Sequence, residues 1–89
     1  MTIEQTATAF VNGTAAKCHN ASTDGQVYTL HKTVIARRVS NGVEFNWGGY
    51  YTPTTANHMK TVMGAMGVNR HVSYSADRRD GINKFIIPG

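Results

Sequence analysis

The segment at residues 41–67, NGVEFNWGGYYTPTTANHMKTVMGAMG, most constrains how this chain can fold. It opens with Asn41-Gly42, a dipeptide typical of the type I′ turn between two antiparallel strands, because both central residues of that turn need positive φ. After the turn, Val43, Phe45 and Trp47 alternate with polar residues, as in a strand with one buried face. The pattern therefore predicts a β-hairpin centred on Asn41-Gly42.

A helix should follow this hairpin after a corner that contains aromatic residues and glycine. Gly48-Gly49 ends the strand, Thr52 can cap a helix, and Pro53 suits the first helical position. The apolar residues beyond it recur at spacings of three and four, up to Gly67, which is the expected C-cap. The apolar stripe consists of Ala56, Met59, Val62, Met63 and Met66, and the opposite face of Asn57, His58, Lys60 and Thr61. The spacing predicts a helix over about 53–66.

Strands are expected on both sides of the helix. The turn Ser22-Thr23-Asp24-Gly25 precedes VYTLHKTVIARRV, a run rich in β-branched and aromatic residues that should break near Lys32. A second hairpin is predicted from strands at 70–75 and 83–87, with its turn at 79–81. Residues 1–13 are predicted to form an edge strand or a flexible arm. The whole chain, 1–89, is expected to be one α+β domain of order β-β-β-α-β-β, in which one helix packs on a small antiparallel sheet of two hairpins and an extra strand.

Charge and cysteine content set the expected surroundings. Nine Lys and Arg against five Asp and Glu give a net charge of +4, which attracts phosphates or acidic protein surfaces only weakly. The single cysteine cannot form an internal disulfide and favours a reducing compartment. No apolar run approaches the ~18 residues of a membrane helix, and the first residues lack the basic region of a signal peptide. We therefore expect a cytosolic protein without a membrane role.

The residues that could carry catalysis or bind metal are sparse. Four histidines and one cysteine show none of the spacings of metal sites, so we expect no metal and no cofactor. Of the five carboxylates, Asp24 and Asp80 each precede a glycine and are typical of turns. No strained glycine elbow surrounds a nucleophile. The sequence thus favours a protein that is not an enzyme over a hydrolase.

The corner before the helix is the first candidate binding site. A helix N-terminus attracts anions through its unpaired N–H groups and its dipole. Tyr50 and Tyr51 offer flat surfaces for stacking, Thr54 and Thr55 add hydroxyls, and His58 lies one turn further along the helix. The alternative is that threonines only cap the helix while Trp47 and one tyrosine fill the core.

Two arginine pairs form the second candidate. Arg37 and Arg38 are neighbours in a strand, so one of them must point away from the core or lie at an edge. Arg78 and Arg79 are expected in an exposed hairpin turn, where guanidinium groups could bind phosphates or carboxylates. The alternative is a solvated turn without a binding role.

Several of these motifs together resemble small uncharacterised proteins of tailed bacteriophages. The motifs are STDG, a strand with YTLH, then VIARR, a short turn, and NWGGYYTPTT leading into a helix, and they span about residues 22–63. The resemblance implies a phage accessory protein of the anti-defence class, for example anti-CRISPR-like, that binds and inhibits or modulates a host or defence-system protein. It supplies no catalytic residue.

Three further alternatives remain open at this point. The arginines with nearby aromatics could serve a nucleic-acid-binding accessory protein. The helix N-terminus could sequester a nucleotide, as in a nucleotide sponge. The methionine-rich helix face could pair with a second copy of the chain, which would form a homodimer.

Overall fold

The computed structural model describes residues 2–68 and 71–88, which form an α+β fold with one antiparallel sheet. Within these residues there are six strands and three helices. The strands are β1 (Ala16–Cys18), β2 (Ala21–Thr23), β3 (Val27–Leu30), β4 (Thr33–Val39), β5 (Gly42–Asn46) and β6 (Lys84–Pro88). The helices are α1 (Ile3–Asn12), α2 (Pro53–Ala65) and α3 (Tyr74–Asp80). Spatial order in the sheet follows chain order, and every neighbouring pair is antiparallel.

The core lies on one side of this sheet, which we call the inner face. Helices α1 and α2 pack against each other, α1 also against β1 and β2, and α2 against β4. Alternation along the strands sends Tyr28, Phe45 and Trp47 inward, and all three are fully buried. The ring of Phe10 on α1 meets that of Tyr28 edge-on, with centroids 6.1 Å apart. Burial of these aromatic side chains stabilises the fold, because each removes a large apolar area from water.

The predicted hairpin is confirmed as the β4–β5 pair, but its turn was placed one residue too late. Val39 pairs with Gly42, so the loop residues are Ser40 and Asn41, and neither has positive φ. The type I′ assignment was therefore wrong. Gly42 opens β5 with φ of 150°, and a Cβ there would collide with the carbonyl oxygen of Ile87 on β6. Glycine is therefore required at position 42 because β6 approaches closely, and not because of the turn.

The predicted helix is confirmed as α2. The Thr52 hydroxyl accepts from the Thr55 amide, and Pro53 occupies the first turn. The C-cap is Met66 and not Gly67 as expected; Gly67 follows it with φ of 79°. Met59 and Met63 are buried inside the chain, so a homodimer would have to use another surface. One assignment was wrong: His58, expected on the polar face, is buried. Helix α2 has α1 on one side and the sheet on another, so its buried sector is wider than a single stripe.

Residues 3–12 form helix α1, so the expectation of an edge strand or a flexible arm was wrong. Thr2 and Gln5 make a reciprocal capping box, and Gly13 ends the helix in the left-handed conformation. The buried residues Thr6, Ala7 and Phe10 follow helical spacing. The alternation of Ala and Thr also fits the two-residue period of a strand. The N-terminal cap and the position of Phe10 favour the helical period instead.

The predicted second hairpin was half wrong. The strand at 83–87 is confirmed as β6, which pairs with β5. The strand predicted at 70–75 begins at a residue outside the described ranges, and Tyr74 already belongs to α3. Ser73 caps α3, Asp77 lies in its first turn and the two arginines in its last, which suits the helix dipole. Arg78 and Arg79 are thus helical residues and do not form a hairpin turn.

No helix among the described residues is long and apolar enough to span a membrane.

Candidate functional site

A cleft of about 580 Å³ lies between the β3–β4 hairpin and the start of α2. Its inner wall is apolar and comes from Leu30, Ile35 and Trp47, which are all buried. Tyr50 flanks the opening with 62% of its surface exposed. The polar lining consists of His31, Lys32, Thr33, Thr52, Thr54 and Thr55. This volume falls in the ~300–1,000 Å³ range of small-molecule sites.

The cleft brings together three of the predicted binding residues, Tyr50, Thr54 and Thr55. However, the start of α2 offers fewer N–H donors than its sequence suggested. Pro53 has none, the Thr55 amide donates to the Thr52 hydroxyl at 3.2 Å, and the Ala56 amide donates to the Thr52 carbonyl at 3.0 Å. In this turn only the Thr54 amide remains for a ligand. The helix end by itself is therefore a weak anion site.

Tyr51 supports the cleft from behind. Its ring stacks on that of Trp47, with centroids 5.4 Å apart, and its hydroxyl donates to the carbonyl oxygen of Ile82 at 2.9 Å. The Trp47 indole N–H donates to Asp77 on α3 at 2.8 Å. These contacts tie the segment before β6 and helix α3 to the aromatic corner, so Tyr51 acts as a packing residue.

His58 lies under the corner in a buried polar pair with Tyr28. The Tyr28 hydroxyl is 2.8 Å from Nδ1 of His58. Burial, followed by the nearby His31, lowers the pKa of His58, and burial raises the pKa of Tyr28 above its usual range. With both groups neutral, the hydroxyl donates to Nδ1 when the ring proton is on Nε2. His58 is thus part of the core and does not line the cleft.

The predicted arginines lie in separate places. Arg38 points to the inner side, where its guanidinium donates to the carbonyl oxygens of Phe10 and Val11 at 2.7 and 3.1 Å. A cation there complements the C-terminal end of α1. Arg37 is exposed on the opposite side of the sheet and pairs with Glu44 at 3.3 Å. Arg78 and Arg79 are exposed in the last turn of α3, and Arg79 pairs with its neighbour Asp80 at 3.3 Å.

The side of the sheet opposite α1 and α2, here called the outer face, carries a second candidate surface. Cross-strand pairing places Val27, Arg37, Glu44 and Ile86 in one row. Thr29 and Val34 form part of the next row. Val34 and Ile86 are 39% and 42% exposed. The charged side chains on this face are Lys17, Arg37, Glu44 and Lys84. The outer face thus mixes exposed apolar groups with three cations and one carboxylate.

Sequence reasoning missed the residues that the β3–β4 hairpin contributes to the cleft, above all His31 and Lys32. A topological signal was present, because consecutive antiparallel strands place the end of β3, the start of β4 and the end of β5 at one end of the sheet. Trp47 follows β5 directly, so the hairpin tip must lie near it. Without the strand order, the sequence predicted only the wall of the cleft that the aromatic corner forms.

Among residues 2–68 and 71–88, no three His, Cys, Asp or Glu side chains lie close enough to hold a metal ion together. The chain has no significant match to a protein-family model, to a curated protein or to a solved structure.

Proposed function

We propose that this chain is a small, non-catalytic accessory protein of the phage type that binds a host or defence-system protein through the outer face of its sheet and thereby modulates it. The observation that supports the proposal most is the composition of this face. Exposed Val34 and Ile86 lie among three cationic side chains and a single carboxylate. Apolar groups ringed by charge are typical of protein-binding patches.

Charge selects the class of partner. The chain carries +4 overall, and the outer face has an excess of cations as well. A second copy would bring the same charges together, whereas an acidic protein surface would be attracted and steered toward this face. The partner should therefore present carboxylates around an apolar centre. Nucleic acid is a poorer fit, because the strand positions of this face hold no aromatic side chain for base stacking.

The test uses two matched pairs of variants in the full chain. Ile86→Glu and Lys84→Glu change the outer face, while Ile82→Glu and Lys60→Glu make the same changes elsewhere. Ile82 is 39% exposed, close to the value for Ile86, so the isoleucine pair is matched in exposure as well as chemistry. Each variant is first checked for folding by its melting curve. A protein recovered with the wild-type chain from host lysate is then purified, and its affinity is measured calorimetrically.

We expect both outer-face variants to weaken binding by about tenfold or more, which corresponds to ~1.4 kcal/mol, and the two control variants to leave it unchanged. Equal losses in both sets would contradict the outer face as the docking surface. Recovery of RNA or DNA that binds the purified chain with steep salt dependence would replace this function with nucleic-acid binding.

A further inference from the structure

The cleft at the start of α2 is separate from the outer face and has the features of a small-molecule site. The residues that shape its apolar wall are buried, and one of them is Trp47, the single tryptophan of the chain. Tyr50 stands at the rim, and the ring contacts found within the described ranges do not involve it. Its face is therefore available to a flat ligand that enters over the apolar wall.

The charge of the lining defines the rest of the ligand. Lys32 and His31 line the cleft, and none of the carboxylates in the described part of the chain does. The two ion pairs within residues 2–68 and 71–88 lie elsewhere, at Arg37–Glu44 and Arg79–Asp80, so Lys32 has no anionic partner of its own. Thr33 on one wall and Thr54 on the other add hydroxyl groups to the lining. An apolar wall with one cation at the rim is complementary to a planar body that carries one negative group.

We propose that this cleft binds a small organic anion with a flat aromatic body, placing the ring between Tyr50 and the apolar wall and the anionic group beside Lys32. The cavity and the unpaired lysine carry this assignment, because the first turn of α2 contributes little beyond the Thr54 amide. Two sources share the required chemistry, nucleoside monophosphates and aromatic carboxylates. This site is independent of the partner-binding face, so either proposal can fail without the other.

Tryptophan fluorescence and amide NMR shifts provide the measurements, since Trp47 lines the cleft. The purified chain is titrated with adenosine monophosphate, with naphthoate, and with adenosine and inorganic phosphate as matched probes that each lack one feature. We expect each flat anion to perturb Trp47 and the amides of residues 30–33 and 52–55. Adenosine should bind about tenfold more weakly than its monophosphate. Phosphate alone should cause no shift in these amides. The tighter of the two anions identifies the source.

Three variants, two of them with matched controls, complete the test. Lys32→Gln should weaken binding about fivefold or more, with Lys60→Gln as its control, and Tyr50→Ala should weaken it, with Tyr74→Ala as its control. Thr54→Glu puts a carboxylate into the cleft at a helix position where acids stabilise, so it should abolish binding while raising the melting temperature. Opposite signs for these two effects exclude unfolding as the cause. Binding of adenosine as tight as that of its monophosphate, no effect of Thr54→Glu, or no binding of any flat anion would overturn the proposal.

Discussion

The two faces of the sheet share the same strands but differ in burial. On the inner face Tyr28, Phe45 and Trp47 are fully buried, and the polar side-chain atoms of Tyr28 and Trp47 find partners within the chain. On the outer face Val34 and Ile86 remain open to solvent among charged side chains. The contrast implies that the inner face provides the stability of the fold. The residues of the outer face can instead vary to suit a binding partner. The adjacent Arg37 and Arg38 repeat this contrast within a single dipeptide.

The largest expected difference is between two valines on opposite faces. Val43 is buried on the inner face, and Val34 is 39% exposed on the outer face. Val43→Ala should lower the free energy of unfolding by about 2 kcal/mol, because it removes buried methyl groups and leaves a cavity. Val34→Ala should cost about 0.5 kcal/mol, since it gives up strand propensity but little burial. Urea unfolding measures both, and equal costs would mean that the outer face is covered in solution.

The two neighbouring arginines give the next contrast. Arg38 makes two charge-assisted hydrogen bonds to the end of α1 and lies over the Phe10 ring, with 5.6 Å from its guanidinium carbon to the ring centroid. Arg38→Gln should therefore cost about 1–2 kcal/mol of unfolding free energy. Arg37→Gln breaks only a surface pair with Glu44 and should cost less than about 0.5 kcal/mol. If Arg37→Gln proved the costlier change in urea unfolding, the assignment of the two faces would be wrong.

Sequence patterns predicted the parts of the fold in which local signals agree. The inward alternation of Val43, Phe45 and Trp47 and the capped start of α2 at Thr52 are confirmed. Predictions failed where one pattern fitted both a strand and a helix, as in α1. They also failed where a residue far away in the sequence determined the local structure. Gly42 illustrates the second case, because its need for glycine comes from Ile87 on a strand about forty residues later in the sequence. The corner that became one wall of the cleft was predictable, whereas Lys32 on the opposite wall required the strand order.

The smallest of the three stability effects concerns the pH dependence of the inner face. Burial lowers the pKa of His58 from its ordinary value of 6.5, so the unfolded chain binds a proton there more readily than the folded one does. Stability from this group is complete above about pH 6.5 and is lost as the pH falls below it. We expect the melting temperature to drop by a few degrees between about pH 7 and pH 5.

A variant that keeps a neutral side chain with hydrogen-bonding groups isolates this effect. His58→Gln cannot be protonated in this range and can still accept from the Tyr28 hydroxyl, so its melting temperature should vary less between pH 7 and pH 5. The exposed His71→Gln serves as control and should keep the wild-type dependence. The carboxyl of Asp24, whose pKa is lowered by backbone N–H groups of Gln26 and Val27, also destabilises the fold in acid, but in a separate range below about pH 4. An unchanged slope in His58→Gln would show that protonation of His58 does not limit folding, and the buried pair with Tyr28 would then tolerate charge.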